Sequence, residues 1–420
     1  MSTAPRNTAL WHPFADMFEV KNGQFCVSKG DGVWIYDQEG RRYLDGTASL
    51  WYANVGHGRT EIAEAAAAQM RELESYSVFN DFTNRPAEAL ADRLSQLAPM
   101  DNAKIFLTTG GGESIDTAAK LARQYWVQRG QPRRTHILSR GHAYHGTNGV
   151  GTGIGGIEVN RAGFGELVPE TSRVAHDDAE SLREAIDRIG ADRIAAFFAE
   201  PVMGAGGLYP PQPGYLEGVA KICAEHEILF VADAVICGFG RVGSWFGVER
   251  WGLRPDMITF AKGVTSGYLP LGGVVIAERV AEPFWNHPGR PFRHGATYSG
   301  HPTAAVAALA NLDILEREKL LARADKLELP LHDALRRLAD HPAVGEVRGG
   351  TGVLGAVELA PDLLAADPGA LVRTQLAIRE LGVIVRPLGK ALAVSPPLII
   401  NESEIDLIGT AMREGLDRLA

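Results

Sequence analysis

Asp233 and Lys262 occupy places where charged side chains are costly unless they do something. Asp233 sits in Ile228–Ile236, an otherwise apolar run. A carboxylate there needs a cation or several donors, unless it marks a strand end and caps the next turn. Lys262 directly follows the apolar run Met257–Ala261 and opens the Gly/Ser-containing loop Gly263–Gly267. Most lysines are solvated surface charges. A lysine ending an apolar strand, however, points to the same edge as Asp233. Partial desolvation lowers its pKa and makes it a nucleophile able to form a Schiff base.

Two glycine-rich segments join this pair. Thr108–Ser114 contains Gly110-Gly111-Gly112 between an apolar run and a helical stretch. Glycines at a helix start let backbone N–H groups wrap an anion such as a phosphate, although a plain tight turn reads the same way. The segment lacks both the GxGxxG and the GK[ST] spacing of nucleotide sites. Gly141–Gly146 carries Tyr144 between His142 and His145, and an aromatic ring beside glycines can lie flat on a ligand ring. No third ligand of fitting spacing accompanies the histidines, so no metal site is expected. One ligand accounts for all four features: a phosphate, an aromatic ring with a basic nitrogen, and an aldehyde. That is pyridoxal phosphate, whose sites combine a Schiff-base lysine with an acidic partner for the ring nitrogen.

The elements that must position these residues are short apolar runs alternating with helical stretches. Runs at Lys104–Thr109, Thr135–Ser139, Ile194–Glu200, Ile228–Ile236, Met257–Ala261 and Gly272–Ala277 read as strands. Ser114–Arg129, Asp178–Ile189 and Gly214–His226 read as helices between them. This pattern predicts an α/β fold with a mostly parallel sheet covered by helices on both faces. Ahead of it, Val33–Tyr36 and Arg42–Leu44 flank the turn Asp37–Gly40 as a hairpin, and Thr60–Leu73 reads as a helix. After about residue 300, helices at Pro302–Leu320 and Arg323–Leu338 are followed by strands at Val344–Arg348, Gly352–Leu359, Val383–Arg386 and Ala391–Ser395. Asn401 then opens a last helix with Glu404 as its capping box. We expect an N-terminal segment (1–58) belonging to a small α+β domain, a large domain (59–300), and a C-terminal part of the small domain (301–420).

Composition narrows the class. The 420 residues are 45% hydrophobic and 22% charged, as in a folded globular protein. The 42 basic and 51 acidic side chains give a formal charge of −9, which argues against a nucleic-acid binder with a dominant basic face. Cys26, Cys223 and Cys237 form no CxxC pair, so neither a disulfide framework nor a cysteine-rich zinc site is expected. Met1–Trp11 has no apolar run and no stretch approaches membrane-span length. A cytoplasmic protein without membrane contact is expected.

The blocks Asp233–Arg241 and Pro255–Gly263 together resemble the signature of class III aminotransferases, the ω-aminotransferase or amine:pyruvate aminotransferase group of fold type I pyridoxal-phosphate enzymes. Glu200-Pro201-Val202, Tyr144-His145-Gly146 and Thr297–Pro302 match as well, and the similarity runs from about Trp11 to Leu398. The resemblance implies that Lys262 holds the internal aldimine and shuttles a proton, and that Asp233 binds the ring nitrogen. Tyr144 and Val235 would flank the ring, Gly111 and Gly112 would bind the phosphate, and Glu200 would lie near the ring. Thr297 would reach the phosphate of the partner's cofactor in a homodimer with shared sites. Arg386 matches a mobile arginine that receives a substrate carboxylate. Trp51, and less clearly Phe79, match aromatics of the substrate pocket.

Two positions depart from the family pattern. Gly112 stands where the family has a serine whose hydroxyl serves the phosphate, leaving Ser114 or Thr109 to make up for it. Ala234 stands where an acidic residue is usual. The implied reaction has two half-reactions, from a primary amine or ω-amino acid to a keto acid such as pyruvate, with pyridoxamine phosphate between them. A decarboxylating aminotransferase or an aminomutase would use the same scaffold. A nucleotide-dependent oxidoreductase leaves Asp233 and Lys262 unexplained, and a non-catalytic binding protein leaves Lys262 without a task.

Overall fold

The computed structural model of the protein describes residues 9–21 and 23–419. The absence of a leader expected for Met1–Trp11 falls mostly on residues 1–8, outside the described residues.

A seven-stranded sheet forms the centre. Across it the strands run Lys104–Thr108, Gly272–Ile276, Met257–Phe260, Leu229–Asp233, Ile194–Ala199, His136–Arg140 and Thr171–Val174. All are parallel except Gly272–Ile276, which is antiparallel to both neighbours. The period-2 alternation of a strand explains the continuous apolar runs. Ala196, Phe198, Leu229 and Val231 face one hydrophobic cluster, shared with Ile115, Ala118 and Ala122 of the helix Gly111–Gln128. Phe197, Ala199, Phe230 and Ala232 face the opposite, larger cluster. Because the strands are parallel, Thr108, Arg140, Ala199, Asp233 and Phe260 end at one edge. In sheets of this kind that edge receives ligands.

Two further sheets surround this centre. Val27–Asp31, Trp34–Asp37 and Arg42–Asp45 form an antiparallel meander, closed by the remote strand Val383–Ile384 in parallel pairing with Arg42–Asp45. The expected turn at Asp37–Gly40 closes with Gly40 N–H donating to Asp37 O at 3.1 Å, and Gly40 lies at φ +81°. The third sheet orders Val344–Arg348, Gly355–Leu359, Ala391–Val394 and Arg386–Leu388, all antiparallel. The run Val383–Arg386, read from sequence as one strand, therefore divides. The chain leaves one sheet at Ile384, buries Val385, and enters another at Arg386.

The last helix, Glu402–Asp417, has the capping box read from sequence. Asn401 Oδ1 accepts from Glu404 N–H at 3.0 Å, and Glu404 Oε2 accepts from Asn401 N–H at 2.9 Å. No helix among the described residues is long and apolar enough to cross a membrane.

Candidate active site

A cavity of about 400 Å³ opens at the carboxyl edge of the central sheet. Gly111, Gly112, Tyr144, Glu200, Asp233, Val235 and Lys262, far apart in sequence, all line it.

Asp233 is the last residue of its strand and is nearly fully buried. Its Oδ1 accepts from Val235 N–H and Thr259 Oγ1–H, each at 3.1 Å. Its Oδ2 lies 2.7 Å from Nδ1 of His145, a fully buried ring. These three donors fix the carboxylate and offset the cost of burying it.

Lys262 follows the neighbouring strand and begins a short 3-10 turn, Lys262–Val264. Its backbone sits at φ +49°, in the left-handed region. A non-glycine residue pays roughly 1–3 kcal/mol there, so the surroundings must hold it. Asn311 does so: its Nδ2 donates to the carbonyls of Gly263 and Val264, both at 2.9 Å. The Lys262 amine makes no hydrogen bond and no ion pair with any described residue. Burial pushes its pKa below the usual lysine value, against the pull of Asp233 and Glu200.

Glu200 directly follows the adjacent strand, Ile194–Ala199. Its Oε1 accepts from Tyr144 N–H at 3.0 Å and its Oε2 from Gly204 N–H at 2.9 Å, so its side chain ties the tyrosine loop to its own. The buried Arg140 donates to the Glu200 carbonyl at 2.7 Å and anchors the backbone. Burial holds the Glu200 carboxyl above its usual range, with His145 pulling the other way and Asp233 adding to the rise.

The helix beneath the glycine run begins at Gly111, three residues earlier than its apolar pattern indicates. Its first backbone bond is Ser114 N–H to Gly110 O at 3.0 Å. The amides ahead of that bond have no partner within the helix, and the helix dipole makes them anion-seeking. A side-chain carbon on Gly111 would meet Val235 at 3.0 Å, so glycine lets the valine close on the helix start.

Trp51 and Arg386 stand beside this cavity. The Arg386 guanidinium lies 5.3 Å from the Trp51 ring centre. The buried Trp51 packs in one apolar cluster with Ile236, which lines the cavity. Burial lowers the Arg386 pKa, and its Nε is buried without a hydrogen-bond partner. Phe79 and Thr297 do not line the cavity. Both are exposed, and Phe79 leans toward Gly295.

His145, Thr259 and Asn148 were not singled out from sequence as site residues. His145 stood next to Tyr144, but loop histidines are commonly solvated. Thr259 carried a weak signal as a polar residue in an apolar strand. Asn148 carried none.

Chemically, the cavity offers an unpaired amine, a fixed carboxylate, an open helix start and an unpaired guanidinium at its side. This set suits a ligand with an anionic end, a basic ring nitrogen and a carbonyl carbon. The chain is similar along its length to proteins of that kind. The family model described as "Aminotransferase class-III" matches residues 17–416. A putrescine–pyruvate aminotransferase of Pseudomonas aeruginosa is 38% identical over 97% of this chain and 94% of its own length. A thermostable (S)-enantioselective ω-transaminase from Thermomicrobium roseum superposes with a TM-score of 0.93 at 39% identity, covering 97% of this chain and 96% of that one. An amine transaminase from an uncultivated Pseudomonas species, in its PLP-bound internal aldimine form, superposes with a TM-score of 0.95 at 36% identity, covering 99% and 100%. The α/β architecture is that of the fold type I transaminases, and the chain belongs to the class III aminotransferase family.

Proposed function

We propose that this aminotransferase holds pyridoxal phosphate in the cavity at the sheet edge. In two half-reactions it moves the amino group of a primary amine or ω-amino acid to a keto acid, with pyruvate as the acceptor. The observation that carries this reading is the Lys262 amine: it shares a cavity with the triply held Asp233 carboxylate and the open helix start, yet has no partner of its own.

Bound pyridoxal phosphate supplies a carbonyl carbon for the amine and a ring that accepts electrons. The remaining work falls to this chain. The N–H groups of Gly111 and Gly112 bind the phosphate, and Tyr144 and Val235 are the walls that hold the ring. Asp233 favours a proton on the ring nitrogen, and Glu200 lines the same space. Lys262 Nζ, neutral at lower pH than an ordinary lysine, takes the donor's α-proton and returns it. Trp51 supplies an apolar wall for the substrate, and Phe79 is a second candidate for it. Arg386 receives the acceptor's carboxylate. Pyruvate as acceptor and an amine as donor are supported by the putrescine–pyruvate relative.

Thr297 would serve the cofactor of a second copy in a homodimer. Its exposure, beside the 64% exposed Tyr298, supports that reading. Residues 59–300 form the cofactor-holding domain in this proposal. The pairing of Val383–Ile384 with Arg42–Asp45 supports joining 1–58 to 301–420 as the smaller one.

The visible spectrum of the purified protein tests the function, recorded with pyridoxal phosphate before and after adding a primary amine without keto acid. A yellow band that bleaches on amine addition is expected, and Lys262→Ala should abolish the bleaching. A band that persists with every amine offered overturns transamination. Carbon dioxide release during bleaching would instead favour a decarboxylating reaction.

A further inference from the structure

Gly112 has no hydroxyl where the resemblance implies one at the phosphate, and the structure shows what stands beside that position. Gly146, at φ +91°, brings the loop after Tyr144 so close to the helix start that a side-chain carbon on it would meet the Gly112 Cα at 2.9 Å. The same loop carries Asn148. A side-chain carbon on Gly112 would lie 3.3 Å from Cγ and Oδ1 of Asn148, and 3.4 Å from Nδ2. The asparagine amide thus stands in contact distance of where a residue-112 side chain would begin, and both residues line the cavity.

The two hydroxyls expected to make up for the missing serine are engaged elsewhere. Ser114 Oγ is buried among Thr108 Oγ1 at 2.9 Å, the Gly110 carbonyl at 3.0 Å and the Phe260 carbonyl at 3.2 Å. Thr109 Oγ1 donates to Glu113 Oε2 at 2.7 Å. The Asn148 side chain is different. It is exposed at the cavity, precedes the short helix Gly149–Ile154 without capping it, and its amide bonds to no described residue, so it is free to turn to a ligand.

We infer that Asn148, through its Nδ2–H, is a side-chain donor to the cofactor's phosphate, in place of the hydroxyl that Gly112 lacks. Glycine at 112 and asparagine at 148 then form one unit, because a serine at 112 would press into the amide. This rests on the pyridoxal-phosphate reading of the cavity.

The test depletes the holoenzyme of cofactor and titrates it back with pyridoxal phosphate and, separately, with pyridoxal, which lacks the phosphate. Asn148→Ala should weaken pyridoxal phosphate about tenfold or more, as expected for one lost hydrogen bond to a charged group, and leave pyridoxal unchanged. Asn148→Asp should weaken it further by placing a negative charge beside the phosphate. In the Asn148→Ala background, Gly112→Ser should recover most of the loss, since the amide no longer occupies that space. Unchanged pyridoxal phosphate affinity in Asn148→Ala, or an equal loss for pyridoxal, overturns the role of Asn148 and leaves the cofactor assignment standing. Failure of the unsubstituted protein to bind pyridoxal phosphate at all overturns both.

Discussion

His145 Nδ1 lies 2.7 Å from Asp233 Oδ2, and both side chains are buried. Asp233 is the last residue of its strand, and His145 comes from the loop after the strand His136–Arg140. Tyr144, next to the histidine, donates its backbone N–H to Glu200, which directly follows the strand beside that of Asp233. The orientation of the carboxylate therefore depends on the tyrosine loop, so the part of the cavity read as facing the ring nitrogen and the part read as flanking the ring move together.

Substituting His145 should disturb Asp233 without touching Lys262. His145→Phe keeps much of the volume but removes the donor, leaving the carboxylate short of one hydrogen bond in a buried place. A bond to a charged group contributes about 1.5–3 kcal/mol, so kcat/KM should fall about 10- to 100-fold, while cofactor still attaches to Lys262. His145→Asn, which keeps a donor, should recover part of the loss. Steady-state kinetics at saturating cofactor decide this, and full activity in His145→Phe would overturn the role.

Arg386 is a half-buried cation that stands over the Trp51 ring and pairs with no carboxylate among the described residues. An incoming carboxylate would supply the missing partner. Arg386→Ala should raise the apparent KM for pyruvate about tenfold or more, which is ~1.4 kcal/mol per tenfold, and spare amines that carry no carboxylate. Equal losses for both substrates would remove Arg386 from carboxylate binding.

Lys262 gives a pH signature in the cofactor-free protein. Burial lowers its pKa in the folded state below the ordinary 10.5. Below the lowered value both folded and unfolded chains bind the proton, and the cost of burying the charge is fully present. Between the lowered value and the ordinary one, the unfolded chain binds more protons, so stability rises with pH. Melting curves across that window should show Lys262→Met losing its stability advantage over the unsubstituted protein as pH rises. A difference that stays constant, or grows, with pH would contradict the burial of the charge.

The alternation of strands and helices was legible in the amino-acid pattern, as was Lys262 at the end of an apolar strand, whereas Asp233 read as lying inside the run Ile228–Ile236 and the strand in fact stops at it. Those features are local. For Lys262, an apolar run long enough for one strand, ended by the charged residue and followed by Gly263, specifies where the side chain must emerge. The glycine run before Ser114 was equally legible as a helix start, although the helix takes in Gly111 and Gly112 because those glycines adopt helical backbone without side chains to satisfy.

The partners of these residues come from the packing of segments remote in sequence. His145 and Thr259 meet Asp233 across strands remote in sequence, and no periodicity encodes that meeting. Arg386 stands beside Trp51 because the chain changes sheets at Val385, while the apolar pattern of Val383–Arg386 reads as one continuous strand. Ser114 turns inward to Thr108, and Asn148 comes to Gly112 because Gly146 lets its loop close on the helix start. Such contacts depend on the path of the backbone between elements and on which small residues permit close approach, and those are set when the layers pack together.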